Sequence, residues 1–104
     1  MGIEVSYWDR RDEADRNEFG TAAYELCRAQ KIIDGVEDSR FYWRNTDSLV
    51  IQVQTSKNVD WSTPDPKVAA SLFRLGDLGR QTHQETWMDP SLGVESYRVA
   101  GRLD

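Results

Sequence analysis

The sequence predicts one α+β domain with the element order β-α-β-β-α-β, and three observations carry that prediction. A period-two stretch, Ile3-Glu4-Val5-Ser6-Tyr7, gives way to a helical apolar stripe. Two runs rich in β-branched and aromatic residues then flank the short polar segment Asn45-Thr46-Asp47. After a polar loop, a second helical stripe enters through a proline and leads to a last alternating stretch.

Each element has its own signal. Residues 3–7 alternate apolar and polar, as a half-buried strand does. Over residues 12–30, Phe19, Ala22, Ala23, Leu26 and Cys27 fall on one helical face. Asp12, Glu13 and Asp15 crowd the first turns, where the helix dipole favours anions. Asp34-Gly35 closes the unit, because glycine accepts a left-handed conformation. Residues 36–44 and 48–55 read as a hairpin, with Arg44 opposite Ser48. That register sets Trp43 against Leu49 and Phe41 against Ile51 on one face. Tyr42 then meets Val50, and Arg40 meets Gln52, on the other.

Residues 56–66 form a polar loop holding Trp61. The second helix is predicted over residues 66–87, with Thr63 or Asp65 as N-cap and Pro90 and Gly93 as terminators. Residues 93–102 read as the closing strand, with Tyr97 and Val99 inward. This order is the ferredoxin-like split βαβ arrangement. Right-handed crossovers place both helices over one face of a four-stranded antiparallel sheet. Ile3, Val5, Tyr7, Phe41, Trp43, Leu49 and Ile51 are expected beneath them. Glu4, Ser6, Arg40, Tyr42, Val50, Gln52 and Arg98 are expected on the opposite face.

Composition limits the function classes. The 104 residues suffice for one domain, so residues 1–104 are read as a single unit. Leu, Ile, Val and Phe make up only about a fifth of them, near the compositional edge of disorder. Four Trp and four Tyr restore burial capacity. A thin core of this kind points to a homodimer that completes its burial against a second copy. A net charge of −5 argues against an extended nucleic-acid surface. No apolar run reaches bilayer length, and no signal-peptide pattern opens the chain, so a cytoplasmic protein without a membrane partner is expected. The single Cys27 excludes an internal disulfide, and its place in a helical stripe makes it a core residue.

In length and element order the whole chain resembles the dimeric α+β barrel superfamily. The stretch 35–54 (GVEDSRFYWRNTDSLVIQVQ), with the tryptophan loop and long helix after it, is similar to the middle of its antibiotic-biosynthesis monooxygenase group. The likeness is one of layout, without signature residues. It implies a homodimer that pairs its open sheet faces into a barrel, and a pocket between sheet and helices. It also implies cofactor-independent oxidation of polycyclic phenols, in which the substrate supplies electrons to oxygen and the protein an apolar cavity with a few donors. Superfamily members that bind haem use a histidine on the second helix, where this reading places His83.

The candidate site residues follow. His83 lies near the inward stripe of Val68, Leu72, Leu75 and Gly79, as a proton-transfer group or a structural histidine. With Tyr7 it forms the candidate catalytic pair. Gly76 and Gly79 inside the predicted helix each cost about 1 kcal/mol relative to alanine, so either a ligand pocket or close packing must offset them. Phe41, Trp43, Trp61, Trp87 and Gly79 are the candidate substrate-binding residues, with Trp8 and Tyr42 as further aromatics. No cofactor is expected, haem through His83 being the minor alternative. Arg40, Arg98 and Glu4 are read as ion-pair partners across a dimer interface, or as anchors for an anionic ligand. Two functions remain open: a monooxygenase-like enzyme or binder of a small aromatic ligand, and a non-catalytic dimeric module. A cavity beside His83 and Gly79 separates them.

Overall fold

The computed structural model describes residues 2–56, 59, 61, 62 and 65–88. They form β1 (Gly2–Arg10), α1 (Arg16–Gln30), β2 (Val36–Asn45), β3 (Ser48–Thr55), α2 (Pro66–Leu78) and β4 (Gly79–Met88). The strands stand in the order β2-β3-β1-β4, every neighbouring pair antiparallel. β1 and β2 are therefore parallel with β3 between them, and β3 and β4 are parallel with β1 between them. That is the split βαβ of a ferredoxin-like fold.

Local chemistry sets the first half as expected. Asp15 caps α1, its carboxylate accepting from the Glu18 N–H at 3.1 Å, so the helix starts after the acidic run rather than at residue 12. Phe19, Ala22, Ala23, Leu26 and Cys27 are its buried face. Gly35 turns the chain into β2 with φ 96°, a conformation that a Cβ would disfavour. The hairpin keeps the expected pairs Trp43–Leu49, Phe41–Ile51, Tyr42–Val50 and Arg40–Gln52. At its end Asn45, not Arg44, pairs with Ser48, because the ladder shifts between Trp43 and Asn45.

Two expectations are corrected. The second helix does not run to residue 87. Asp65 caps it, accepting from the Lys67 N–H at 2.8 Å, and it ends at Leu78. Gly79 then takes extended backbone (φ −144°, ψ 172°) and opens β4. The expected strand at residues 93–102, with Tyr97, Arg98 and Val99, lies outside the described residues.

The second correction concerns β1. Ser6 pairs with Ile51 and Trp8 with Leu49, so Glu4, Ser6 and Trp8 face the helices. Ile3, Val5 and Tyr7 pair with Gln54, Gln52 and Val50 and lie on the open face. The strand alternates as expected but sits one residue away from the assumed register, because burying Trp8 outweighs burying Tyr7. The core between sheet and helices holds Trp8, Leu49, Ile51 and Val53 against Phe19, Leu26, Leu75 and Leu78. Val5, on the face away from the helices, is fully buried outside that cluster.

Candidate functional site

The residues expected to form one pocket are divided among three places. Gly79 does not floor a cavity. A Cβ there would lie 2.3 Å from the Phe19 ring and 3.1 Å from the Asp9 carbonyl, so the missing side chain serves close packing of β4 on α1. Phe41 and Trp43 face the helices at the β2 edge of the sheet. Trp43 meets Phe19 edge-on at 6.0 Å and Phe41 at 6.4 Å, and its ring closes over Gly20 of α1.

Tyr7, His83 and Trp87 do come together, but on the open face of the sheet. His83 belongs to β4 rather than to a helix, and it is exposed. Its ring lies 5.5 Å from that of Tyr7, and its Nε2 stands 3.3 Å from the Glu85 carboxylate. The Tyr7 hydroxyl donates to Glu85 Oε1 at 2.8 Å, and the Trp87 indole N–H donates to the same oxygen at 3.3 Å. The Arg44 guanidinium lies 5.0 Å over the Tyr7 ring. The Tyr7 hydroxyl holds the Glu85 carboxyl below its usual range, with Trp87 and then His83 assisting. The same hydrogen bond, with burial and the Glu85 charge, pushes the Tyr7 phenol up. Haem does not fit His83, because the ring stands exposed on a sheet face and is engaged by Glu85.

Glu4 is not on the open face with Arg40, as expected, but on the helix side. Arg40 pairs within its own strand, its Nε donating to Asp38 at 2.8 Å. That pairing, opposed by slight burial, lowers the Asp38 carboxyl. Cys27 is buried, and burial raises its thiol, which fits a core residue rather than a nucleophile.

A cleft of about 310 Å³ opens on the helix side of β1 and β4. Its apolar wall comes from Trp8, Leu26, Ile51, Val53, Leu72 and the loop residue Trp61. Its polar lining comes from Glu4 and Ser6 of β1, Gln30 of α1, and Gln81 and Gln84 of β4. Several of these groups are already oriented. Thr86 donates to Glu4 Oε2 at 2.9 Å, and the Trp8 indole donates to Ser6 at 2.9 Å. The Ser39 hydroxyl donates to Gln30 Oε1 at 2.9 Å, which leaves the Gln30 amide N–H groups to the cleft. Leu72 sits on the inward stripe of α2 but stays 45% exposed, because it overhangs this opening. A larger depression of about 470 Å³ runs between the outer sides of α1 and α2, without an aromatic side chain among its described lining residues.

Of the aromatics expected around a ligand, Trp61 and Trp8 line the cleft, and the other expected site residues do not. Ser6, Gln30, Gln81 and Gln84 were not foreseen, and Glu4 was foreseen in another role. The signal for β4 was Gln81, Gln84 and Thr86, uncharged polar residues after the glycine breaks, which an apolar pattern search passes over.

No model of a known protein family matches the chain, and no curated protein matches it in sequence. Among solved structures, it is similar to a conserved protein of unknown function from Bacteroides thetaiotaomicron, described there as a possible oxidoreductase. The TM-score is 0.66 at 17% identity, over 83% of this chain and 95% of that one. At that identity the likeness concerns the fold, a small ferredoxin-like α+β domain.

Proposed function

We propose that the protein binds a small aromatic molecule in the cleft between the sheet and α2, as a monooxygenase-like enzyme or a binder of that layout. The observation that carries this reading is the lining. Trp8, Trp61 and Leu72 give flat apolar walls, and a few oriented polar groups stand at one side, the usual composition of a small-molecule site. In the chemistry this layout supports, a ring CH₂ tautomeric with a phenol becomes a carbonyl. The substrate supplies the electrons, one atom of O₂ is retained and the other leaves as water. The chain contributes a dry wall and the donors of Gln30 and Gln84. Tyr7 and His83 lie across the sheet from this cleft, so no step is assigned to them.

Calorimetric titration with 2-naphthol tests the site. Trp61 is exposed, so Trp61→Ala leaves the fold intact and weakens binding about tenfold, the scale of one lost aromatic contact. Equal binding by wild type and variant, or no binding by either, rejects the cleft. Oxygen uptake with a polycyclic phenol, above the rate without protein, separates an enzyme from a binder.

The second reading, a homodimeric module, is favoured by the open sheet face. Ile3, Val5, Tyr7, Tyr42, Val50 and Trp87 share it, and Arg40, Arg44, Asp38 and Glu85 bring both signs of charge. A second copy related by a two-fold axis could set cation against anion there. The two readings are compatible, because the cleft and the open face are opposite sides of one sheet.

A further inference from the structure

Among the described residues, Glu4 carries the only charge on the side chains lining the cleft. It is partly buried on β1, and Thr86 of β4 holds one carboxylate oxygen at 2.9 Å. The described residues of the elements around it bring no cation to the lining. α1 contributes Leu26 and Gln30, α2 contributes Leu72, and β4 contributes Gln81 and Gln84. The described arginine pairs lie elsewhere: Arg10 and Arg16 meet Asp47 at the hairpin turn, Arg40 meets Asp38 on β2, and Arg74 meets Glu18 on the outer side of the helices. A negative charge beside apolar walls acts through a lower effective dielectric than in water, so its effect on a bound charge is larger there. The chain's net charge of −5 adds to the same sign.

We infer that Glu4 is a specificity-determining residue that makes the cleft select uncharged or cationic aromatic ligands bearing a hydrogen-bond donor, and reject aromatic anions. The Glu4 carboxylate, held by Thr86 at one oxygen, would accept from a ligand hydroxyl or ammonium at the other. A carboxylate, phosphate or phenolate in the same place meets like charge, with no guanidinium or ammonium among the described lining residues to offset it. Rejection of anions is a property of this lining, and it deepens the cleft reading on which it rests.

A series on one ring system tests it: 2-naphthol, 2-methoxynaphthalene, 2-naphthylmethylammonium and 2-naphthoate, each titrated by calorimetry against the full chain. The expected order places the ammonium and the naphthol tightest, the ether weaker, and the naphthoate at least about tenfold weaker than the naphthol. Glu4→Gln keeps an acceptor for Thr86 and removes the charge, so naphthoate should come within about threefold of naphthol. Gln84→Lys, at an exposed position on the same lining, should raise naphthoate affinity in the wild-type background. Naphthoate binding wild type as well as naphthol does, or a naphthol-to-naphthoate ratio unchanged by Glu4→Gln, overturns the role of Glu4. If Trp61→Ala still weakens naphthol in that case, the cleft stands without its charge selection. If no naphthalene binds, both fail together.

Discussion

Tyr7 and Glu85 show how one hydrogen bond couples two titrations in opposite directions. The Tyr7 hydroxyl stands 2.8 Å from Glu85 Oε1, lowering the carboxyl and raising the phenol. A depressed Glu85 stabilises the fold above the ordinary carboxylate range, and that contribution is lost as pH falls through the depressed value. A raised Tyr7 stabilises below the ordinary tyrosine value of about 10, and that contribution is lost as pH climbs through the raised one. The network is therefore complete between these limits and weakens on both sides. Carbon-13 NMR of the tyrosine ring should show Tyr7 ionising at more alkaline pH than a tyrosine in a model peptide. Glu85→Gln should move its midpoint back down, and an unmoved midpoint would mean that the hydrogen bond does not form in solution.

At the scale of the element, the end of α2 is where helix and strand signals compete. Gly76 and Gly79 lie three residues apart but have different surroundings. No neighbouring atom lies within 4 Å of a Cβ added at Gly76, and its carbonyl, which accepts from Arg11 Nε at 3.1 Å, does not depend on the side chain. Gly76→Ala should therefore raise stability in urea unfolding by up to about 1 kcal/mol, the helix-propensity difference. A Cβ at Gly79 meets Phe19, which is fully buried and has no room to retreat. Gly79→Ala should cost about 1–3 kcal/mol, and Gly79→Leu more, the usual penalty of an overpacked core. Equal responses at the two positions would contradict the placement of β4 against α1. The helical reading of residues 79–87 arose because β4 turns Gln81, Gln84 and Thr86 inward. A strand whose inward residues are uncharged and polar shows no apolar alternation, so the period-two signal is lost.

For the whole molecule, the sheet face away from the helices is where the proposed homodimer would close. Four strands about 4.8 Å apart, with a rise of about 3.3 Å per residue, give a flat area on the order of 500 Å². Side-chain relief brings this toward the roughly 800 Å² per partner of a standard interface. Val50 lies near the middle of that face, beside Tyr7 and Tyr42. Sedimentation should show a dimer for the wild type and a monomer for Val50→Lys, because a lysine there would be buried against its own copy. A wild type that sediments as a monomer at micromolar concentration rejects the barrel, and the cleft reading survives it.

The sequence by itself determined the element order, the buried face of α1, the Gly35 turn and the hairpin pairing. Each of these depends on contacts close along the chain or on a strict period. Phe19, Leu26 and Cys27 repeat at helical spacing, and Trp43 finds Leu49 through a turn of known length. Only the tertiary structure decided which face β1 presents, since Ile3-Glu4-Val5-Ser6-Tyr7 alternates equally well in either register. The choice is made by Trp8, whose indole is 5% exposed in the core and bonded to Ser6. That register turned Tyr7 and His83 to the open face and brought Glu4 to the cleft. The site stayed hidden for the same reason. Glu4, Gln30, Gln81 and Gln84 come from three elements far apart in the chain, and polar residues that meet only through the fold leave no local period to read.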